Sequence, residues 1–247
     1  MAQPLAGKSA LVTGGSRGIG AAIARRLAEH GAAVVITHSN SAEAARRVAA
    51  GISADGGRAV AVRADAGVPE QVRAAVTRAV EVFGGLDVLV NNAATVATGV
   101  LDELSLEEFD RALSINVRGP FVAIQEASKH LPDGGRIINI GTSMVEHNPF
   151  TGKLAYVTSK SALAGLTRSA ARDLASRRIT VNNVQPGAID TALNPADGPR
   201  SHVLQAMIPL GHFGTGEQIA SLVAHLASPE ADYITGATIN ADGGYAT

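Results

Sequence analysis

Tyr156 and Lys160 stand four residues apart, with Ser143 thirteen residues upstream. On a helix, residues at that spacing share a face. A phenol beside an ammonium is an arrangement for moving a proton. The cation favours phenolate and lowers a pKa that starts near ~10. Such a tyrosine can give a proton to a carbonyl oxygen or take one from an alcohol. The spacing recurs by chance on many helices, so its weight depends on a second site that brings a hydride donor.

That second site is Thr13-Gly14-Gly15-Ser16-Arg17-Gly18-Ile19-Gly20. It follows the apolar run Ser9 to Val12 and precedes a helical stripe of Ile23, Ala24 and Leu27. Strand, glycine turn and helix in that order form a dinucleotide cradle. Gly14 allows the tight turn, and Gly18 and Gly20 allow close approach by pyrophosphate and by the strand. The free N–H groups of the helix start face the phosphates. Ser16, Arg17 and Ile19 belong to the same turn.

Together these residues resemble the short-chain dehydrogenase/reductase family, in the branch with TGxxxGxG and YxxxK. The resemblance runs through almost the whole chain. Asn91-Asn92-Ala93 is similar to the family's NNA motif, and Asp242-Gly243-Gly244 to its C-terminal DGG. Pro186, Gly187 and Thr191 match its PG…T segment, which encloses Ile189. Asn116, Ser143, Tyr156 and Lys160 match its catalytic tetrad one by one. The resemblance implies that Ser143 donates to a substrate carbonyl and Tyr156 supplies the proton. It implies that Lys160 lowers the tyrosine pKa and binds the nicotinamide ribose, and that Asn116 links Lys160 to solvent through water. Asp65, followed by Ala66, is similar to the residue that accepts from the adenine amino group; a turn or cap role is the competing reading. Asn92 orders the loop behind the cofactor. The chain departs from the pattern at Ala94, where relatives have Gly, and at Thr142, where they have Ser.

The nucleotide is read from the second strand. Sites that prefer NAD place an acid about 20 positions after the glycines. Here that strand ends Thr37-His38-Ser39-Asn40, with no acid between Glu29 and Glu43. Thr37, His38, Ser39 and Asn40 can donate to a phosphate. Arg17 resembles the basic residue of NADP-preferring relatives. The expected cofactor is NADP(H). Alternatively, Arg17 is solvated and Ser39 and Asn40 cap the next helix.

The 247 residues suit one α/β domain, residues 1–247. The expected fold is a single Rossmann-type, doubly wound parallel sheet of about seven strands flanked by helices. Expected strands are 9–12, 33–37, 59–63, 86–91, 136–140, 180–185 and 238–241. Helices are expected to begin near Gly18, Ala42, Pro69, Ser105, Ala155 and Gly216. Pro69 suits a helix start. Pro120 lies inside a helical pattern from Ser105 to about Lys129 and cannot donate to the Asn116 carbonyl, so a kink there is expected.

Hydrophobic residues are 46% of the chain and aromatics 3%, so the core is built from Ala, Val, Leu and Ile. A net charge of −1 and no long basic run, with pairs such as Arg46-Arg47 and Arg177-Arg178 isolated, give little support to nucleic-acid binding. Without cysteine, disulfides and thiol chemistry are excluded, and the histidines form no metal motif. No apolar stretch nears the ~20 residues of a membrane span, and a cytoplasmic location is expected.

The Pro- and Gly-rich segment at about 190–213 reads as a substrate lid with a short helix near His202 to Met207. Pocket candidates are Ala94, Thr95, Met144, Val145, His147, Phe150, Ala188 and Leu193. Most are apolar, so the expected substrate is a ketone with a modest apolar flank. 3-Oxoacyl-[acyl-carrier-protein] reductases are the nearest comparison, with Lys129 and Arg172 placed to dock an acidic carrier. The expected activity is that of an NADPH-dependent carbonyl reductase or alcohol dehydrogenase. A second class stays open, because 186–191 and 194–199 resemble a branch of reductase-like proteins that binds cyclic-di-GMP. Relatives are commonly tetramers, so a homotetramer is expected, with a dimer as the alternative. Leu163, Leu166, Ala170 and Leu174 form a stripe that suits either a subunit interface or the core.

Overall fold

The computed structural model describes residues 3–199 and 201–247. Seven parallel strands lie in the order β3-β2-β1-β4-β5-β6-β7. They are β1 (Ser9–Val12), β2 (Ala33–His38), β3 (Arg58–Arg63), β4 (Val88–Asn91), β5 (Arg136–Ile140), β6 (Thr180–Pro186) and β7 (Thr238–Ala241). The helices are α1 (Gly18–Glu29), α2 (Ala42–Ala54), α3 (Pro69–Phe83), α4 (Leu106–Leu113), α5 (Gly119–Ala127), α6 (Leu154–Leu174), α7 (Ser201–Ala206) and α8 (Gly216–Ala227).

The inner strands read as apolar runs because helices cover both faces. Residues of α1, α2 and α8 pack with Val12, Val34, Ile36, Val90 and Ile138 on one face. Residues of α3, α5 and α6 pack with Leu11, Val35, Leu89 and Ile137 on the other. The chain reverses direction across the sheet between β1 and β4, which are neighbours. A crevice opens at the carboxyl ends of strands at such a switch.

The expected strand boundaries match to within a residue or two. β4 starts at Val88 rather than Leu86, since the Asp87 carboxylate accepts from the Ser9 N–H and Lys8 Nζ, each at 2.9 Å. The long helix expected from Ser105 is divided. Ser105 caps α4 in a reciprocal box with Glu108. The chain then widens into a π turn over Ser114–Arg118, just before Pro120, and resumes as α5. A missing N–H at Pro120 is a physical reason for the ladder to shift there. The stripe on α6 belongs to the core: Ala170, with Leu166 and Leu174 against it, packs under β5 and β6.

Candidate active site

The loops at the carboxyl ends of six strands meet around one cleft of about 430 Å³. The turn after β1 forms its floor. Gly14 has φ +65°, a conformation that favours glycine, and a Cβ there would sit 2.9 Å from Ala93 Cα. A Cβ on Gly20 would sit 2.4 Å from both Asn92 Nδ2 and the Gly14 carbonyl. Gly20 therefore makes room for the β4 loop rather than for a ligand. Asn92 fastens that loop by donating to the carbonyls of Thr13 and Gly14 at 2.9 and 3.0 Å. The α1 N-terminus opens at Gly18 with no side-chain cap, leaving its first N–H groups to the cleft.

The cleft is lined by Gly14, Ser16, Arg17, Gly18, Ile19 and Gly20 from this turn, and by His38 and Ser39 beyond β2. Asp65, Ala66, Asn92, Ala93, Tyr156, Lys160, Pro186, Gly187 and Thr191 complete the expected cofactor residues that reach it. Asn40 does not line the cleft. Ile189 turns away, joining the core beneath α8 and bridging to Gly214. Asp65 serves a turn as well, its carboxylate accepting from the Gly67 N–H at 2.8 Å. Neither Ser39 nor Asn40 is the N-cap of α2; Ser41 is. Burial of His38 lowers its pKa, and the nearby Arg46 and Arg63 lower it further. Arg17 brings a cation to this end of the cleft and Asp65, beyond β3, a carboxylate, while β2 carries none.

At the other end, α6 presents Tyr156 half-buried on the cleft wall and Lys160 only 3% exposed behind it. Lys160 Nζ donates to the Ile140 carbonyl at 2.6 Å. Desolvation brings the lysine pKa down to about 8. Burial pushes the Tyr156 phenol up, and contact with the Thr142 side chain draws it partly back. The opposing influence on Tyr156 is thus Thr142 rather than Lys160, whose ammonium is turned to a carbonyl. Ser143 is fully buried, and its Oγ has no protein partner. Asn116 is also fully buried, held in the π turn, with its side chain bonded to Thr95 and Ser159. Neither Ser143 nor Asn116 forms part of the cleft wall, although both neighbours of the wall residues Thr142 and Ile115.

Of the expected substrate residues, Ala94 and Leu193 line the cleft, as does Thr95. Met144, Ala188 and Phe150 instead pack with Ile208, Phe213 and Tyr245 in a separate apolar cluster. His147 stands edge-on to Tyr245, ring centres 5.5 Å apart. Val145 ends a short turn after Ser143 and stays outside the cleft. Thr37 lines the cleft as well, and sequence reasoning missed Ser41, Ala64, Val96, Arg111, Ile115, Ile140, Gly141, Thr142 and Ala192 as wall residues. Position at a strand's carboxyl end could have found Ile140 and Gly141; nothing local marks Arg111 or Ile115.

A parallel sheet with a glycine turn at its switch point, joined to a Tyr-Lys pair in one cleft, defines a dinucleotide-binding oxidoreductase. The profile of the family described as enoyl-(acyl carrier protein) reductase matches residues 14–246. The chain belongs to the short-chain dehydrogenase/reductase family. It is 43% identical to the cyclic-di-GMP-binding biofilm dispersal mediator protein of Escherichia coli over 97% of each chain. It is 43% identical to the Staphylococcus aureus 3-oxoacyl-[acyl-carrier-protein] reductase FabG, over 96% of this chain and 97% of that one. A short-chain dehydrogenase from Burkholderia cenocepacia, solved in complex with NADP, superposes with a TM-score of 0.97 at 49% identity, covering 99% of this chain and all of the other. No helix among the described residues is long and apolar enough to cross a membrane. No cluster of His, Cys, Asp or Glu among them could hold a metal ion.

Proposed function

We propose that this protein is an NADPH-dependent ketone reductase. One observation carries the reading: Tyr156 stands partly exposed on the wall of the cleft that the glycine turn opens, with Lys160 buried behind it. The bound cofactor supplies the hydride; every other part of the chemistry falls to this chain. Gly14, Gly18 and the α1 N-terminus fit a pyrophosphate, with Gly14 and Gly20 too closely approached to carry a Cβ. Arg17, His38 and Ser39 would hold the 2′-phosphate, which fits an arginine at the cleft edge and a β2 without an acid. The Burkholderia relative's complex with NADP supports this choice.

In the reductive direction Ser143 Oγ, buried just behind the wall residue Thr142 and without a hydrogen-bond partner among the described residues, would reach the substrate carbonyl oxygen by a shift of the turn at Ser143–Val145. Tyr156 gives that oxygen its proton. Lys160, charged below pH about 8, donates to the Ile140 carbonyl and would hold the cofactor ribose with its remaining N–H groups. The segment 190–213 acts as the lid of residues 1–247, with exposed Leu193 at its cleft edge. Ala94, Thr95 and Leu193 favour a ketone with an apolar flank. Docking of an acyl carrier has weak support, because Lys129 is already paired with Glu126 at 2.7 Å. Exposed Leu106, Phe121 and Leu154 on α4, α5 and α6 support a homotetramer, to be checked by light scattering.

Initial-rate oxidation of NADPH against a panel of ketones, including a 3-oxoacyl thioester, tests the reading. Turnover is expected, with NADPH preferred over NADH. The identity shared with the Escherichia coli relative favours a second reading, a cyclic-di-GMP-binding regulator of reductase fold. Tight binding of that dinucleotide without turnover of any ketone would replace the first reading by the second.

A further inference from the structure

Ser159 belongs to no motif used above, yet it is fully buried one residue before Lys160. Its Oγ donates to the Tyr156 carbonyl at 2.8 Å and accepts from Asn116 Nδ2 at 2.9 Å. Asn116 in turn holds both sides of one peptide position on the cleft wall. Its Oδ1 accepts from the Thr95 N–H, and its Nδ2 also donates to the Thr95 carbonyl, each at 2.9 Å. The result is an unbroken buried path from the wall at Thr95, through Asn116 and Ser159, to the peptide that carries the Tyr156 side chain.

Two neighbouring features make this path matter. The α6 N-terminus has no side-chain cap at Lys153, so its first turn is not fixed from its own end. The π turn at Ser114–Arg118 sets the direction of the Asn116 side chain. A hydroxyl bonded to the carbonyl three residues back fills no fold-wide need in a helix. Here it accepts a bond from another element at the same time, which ties the tyrosine's turn to the cleft wall.

We propose that Ser159 is a positioning residue that works through Tyr156, with Asn116 as the fixed end of the clamp. This rests on the ketone-reductase reading. Ser159 touches neither substrate nor cofactor; it sets the angle from which the phenol approaches the carbonyl oxygen. Misplacement of a reacting group by about 1 Å can cost on the order of 10²-fold in rate, so a partial loss is expected when the clamp is cut.

The test measures kcat, KM and NADPH affinity for Ser159→Ala, Ser159→Thr and Tyr156→Phe/Ser159→Ala, beside the parent and Tyr156→Phe. We expect Ser159→Ala to bind NADPH as the parent does and to lose about tenfold in kcat with KM within about twofold, a split that marks loss at the transition state. Ser159→Thr, which keeps the hydroxyl, returns most of the rate. In the Tyr156→Phe background the alanine change costs nothing further, because the group it positions is gone. Ser159→Cys, similar in size but a weak donor, carries the same expectation if the alanine variant is unstable. An unchanged kcat in Ser159→Ala, or an equal loss in both backgrounds, overturns the proposal. A parent that turns over no ketone overturns the reductase reading instead, and this inference with it.

Discussion

The two ends of the cleft are built by different means. The nucleotide end is mostly backbone: a turn at Gly14–Gly20, a helix N-terminus and strand ends placed side by side by a regular sheet. The other end is walled by side chains, Ala94 and Thr95 after β4 and Leu193 after β6, and beyond it Met144, Ala188 and Tyr245 form a separate apolar cluster around Ile208 and Phe213. Backbone geometry set by glycine tolerates no added atom, whereas an apolar cluster can repack. The first end should therefore break sharply under substitution, and the second should change by degrees.

The largest effect on NADPH binding is expected from Gly20→Ala. Its Cβ would meet Asn92 Nδ2 and the Gly14 carbonyl at 2.4 Å, so the turn must move. NADPH affinity should fall about 100-fold, in line with an overpacking cost of roughly 1–3 kcal/mol. Fluorescence titration checks this, and an unchanged Kd would show that the turn is more pliant than the comparison requires.

Lys160 gives the next effect, at the junction of the two ends. Its folded pKa, about 8, lies below the ordinary lysine value. Between the two values the unfolded chain binds more protons, so this group adds stability as pH rises through about 8 and stops adding near the unfolded pKa. Relative to Lys160→Met, the parent should gain about 2 kcal/mol of unfolding free energy between about pH 7.5 and pH 9.5. Denaturant unfolding of both proteins at the two pH values measures it; a constant difference would mean that the ammonium is not desolvated.

Arg17 is exposed at the cleft's edge. Arg17→Ala should weaken NADPH binding about tenfold at low salt, the worth of one charge-assisted contact, and less at high salt. NADH binding should hardly change. The smallest shift is expected on the substrate side. Leu193→Ala, at the cleft wall, should move a ketone's KM about threefold, the scale of one buried methylene, and leave NADPH affinity alone. A loss of NADPH affinity in that variant would show that the two ends are not separate.

The same contrast explains what could be read in advance. Gly18, Pro69 and Gly216 start helices where local chemistry puts them, and β1, β5 and β7 have the extents that their apolar runs define. Tyr156 and Lys160 were visible because one helical turn joins them. Arg111 and Ile115 were not, because they reach the cleft only through the way α4 and the π turn pack against α6. Ile189 shows the reverse error: adjacent to cleft residues in sequence, it is turned into the core by its bridge to Gly214. Ser159 carries no signal of its own until Asn116, 43 residues away, is placed against it.

The central claim is that Tyr156 delivers the proton in a cleft that holds NADPH. Steady-state NADPH oxidation by the parent and Tyr156→Phe, with the best ketone and with NADPH affinity measured on both, tests it most directly. The account predicts equal affinity and a loss of about 10²–10⁴-fold in kcat for the phenylalanine variant, the usual worth of a general acid. A variant that binds NADPH equally and reduces the ketone at the parent's rate would contradict it.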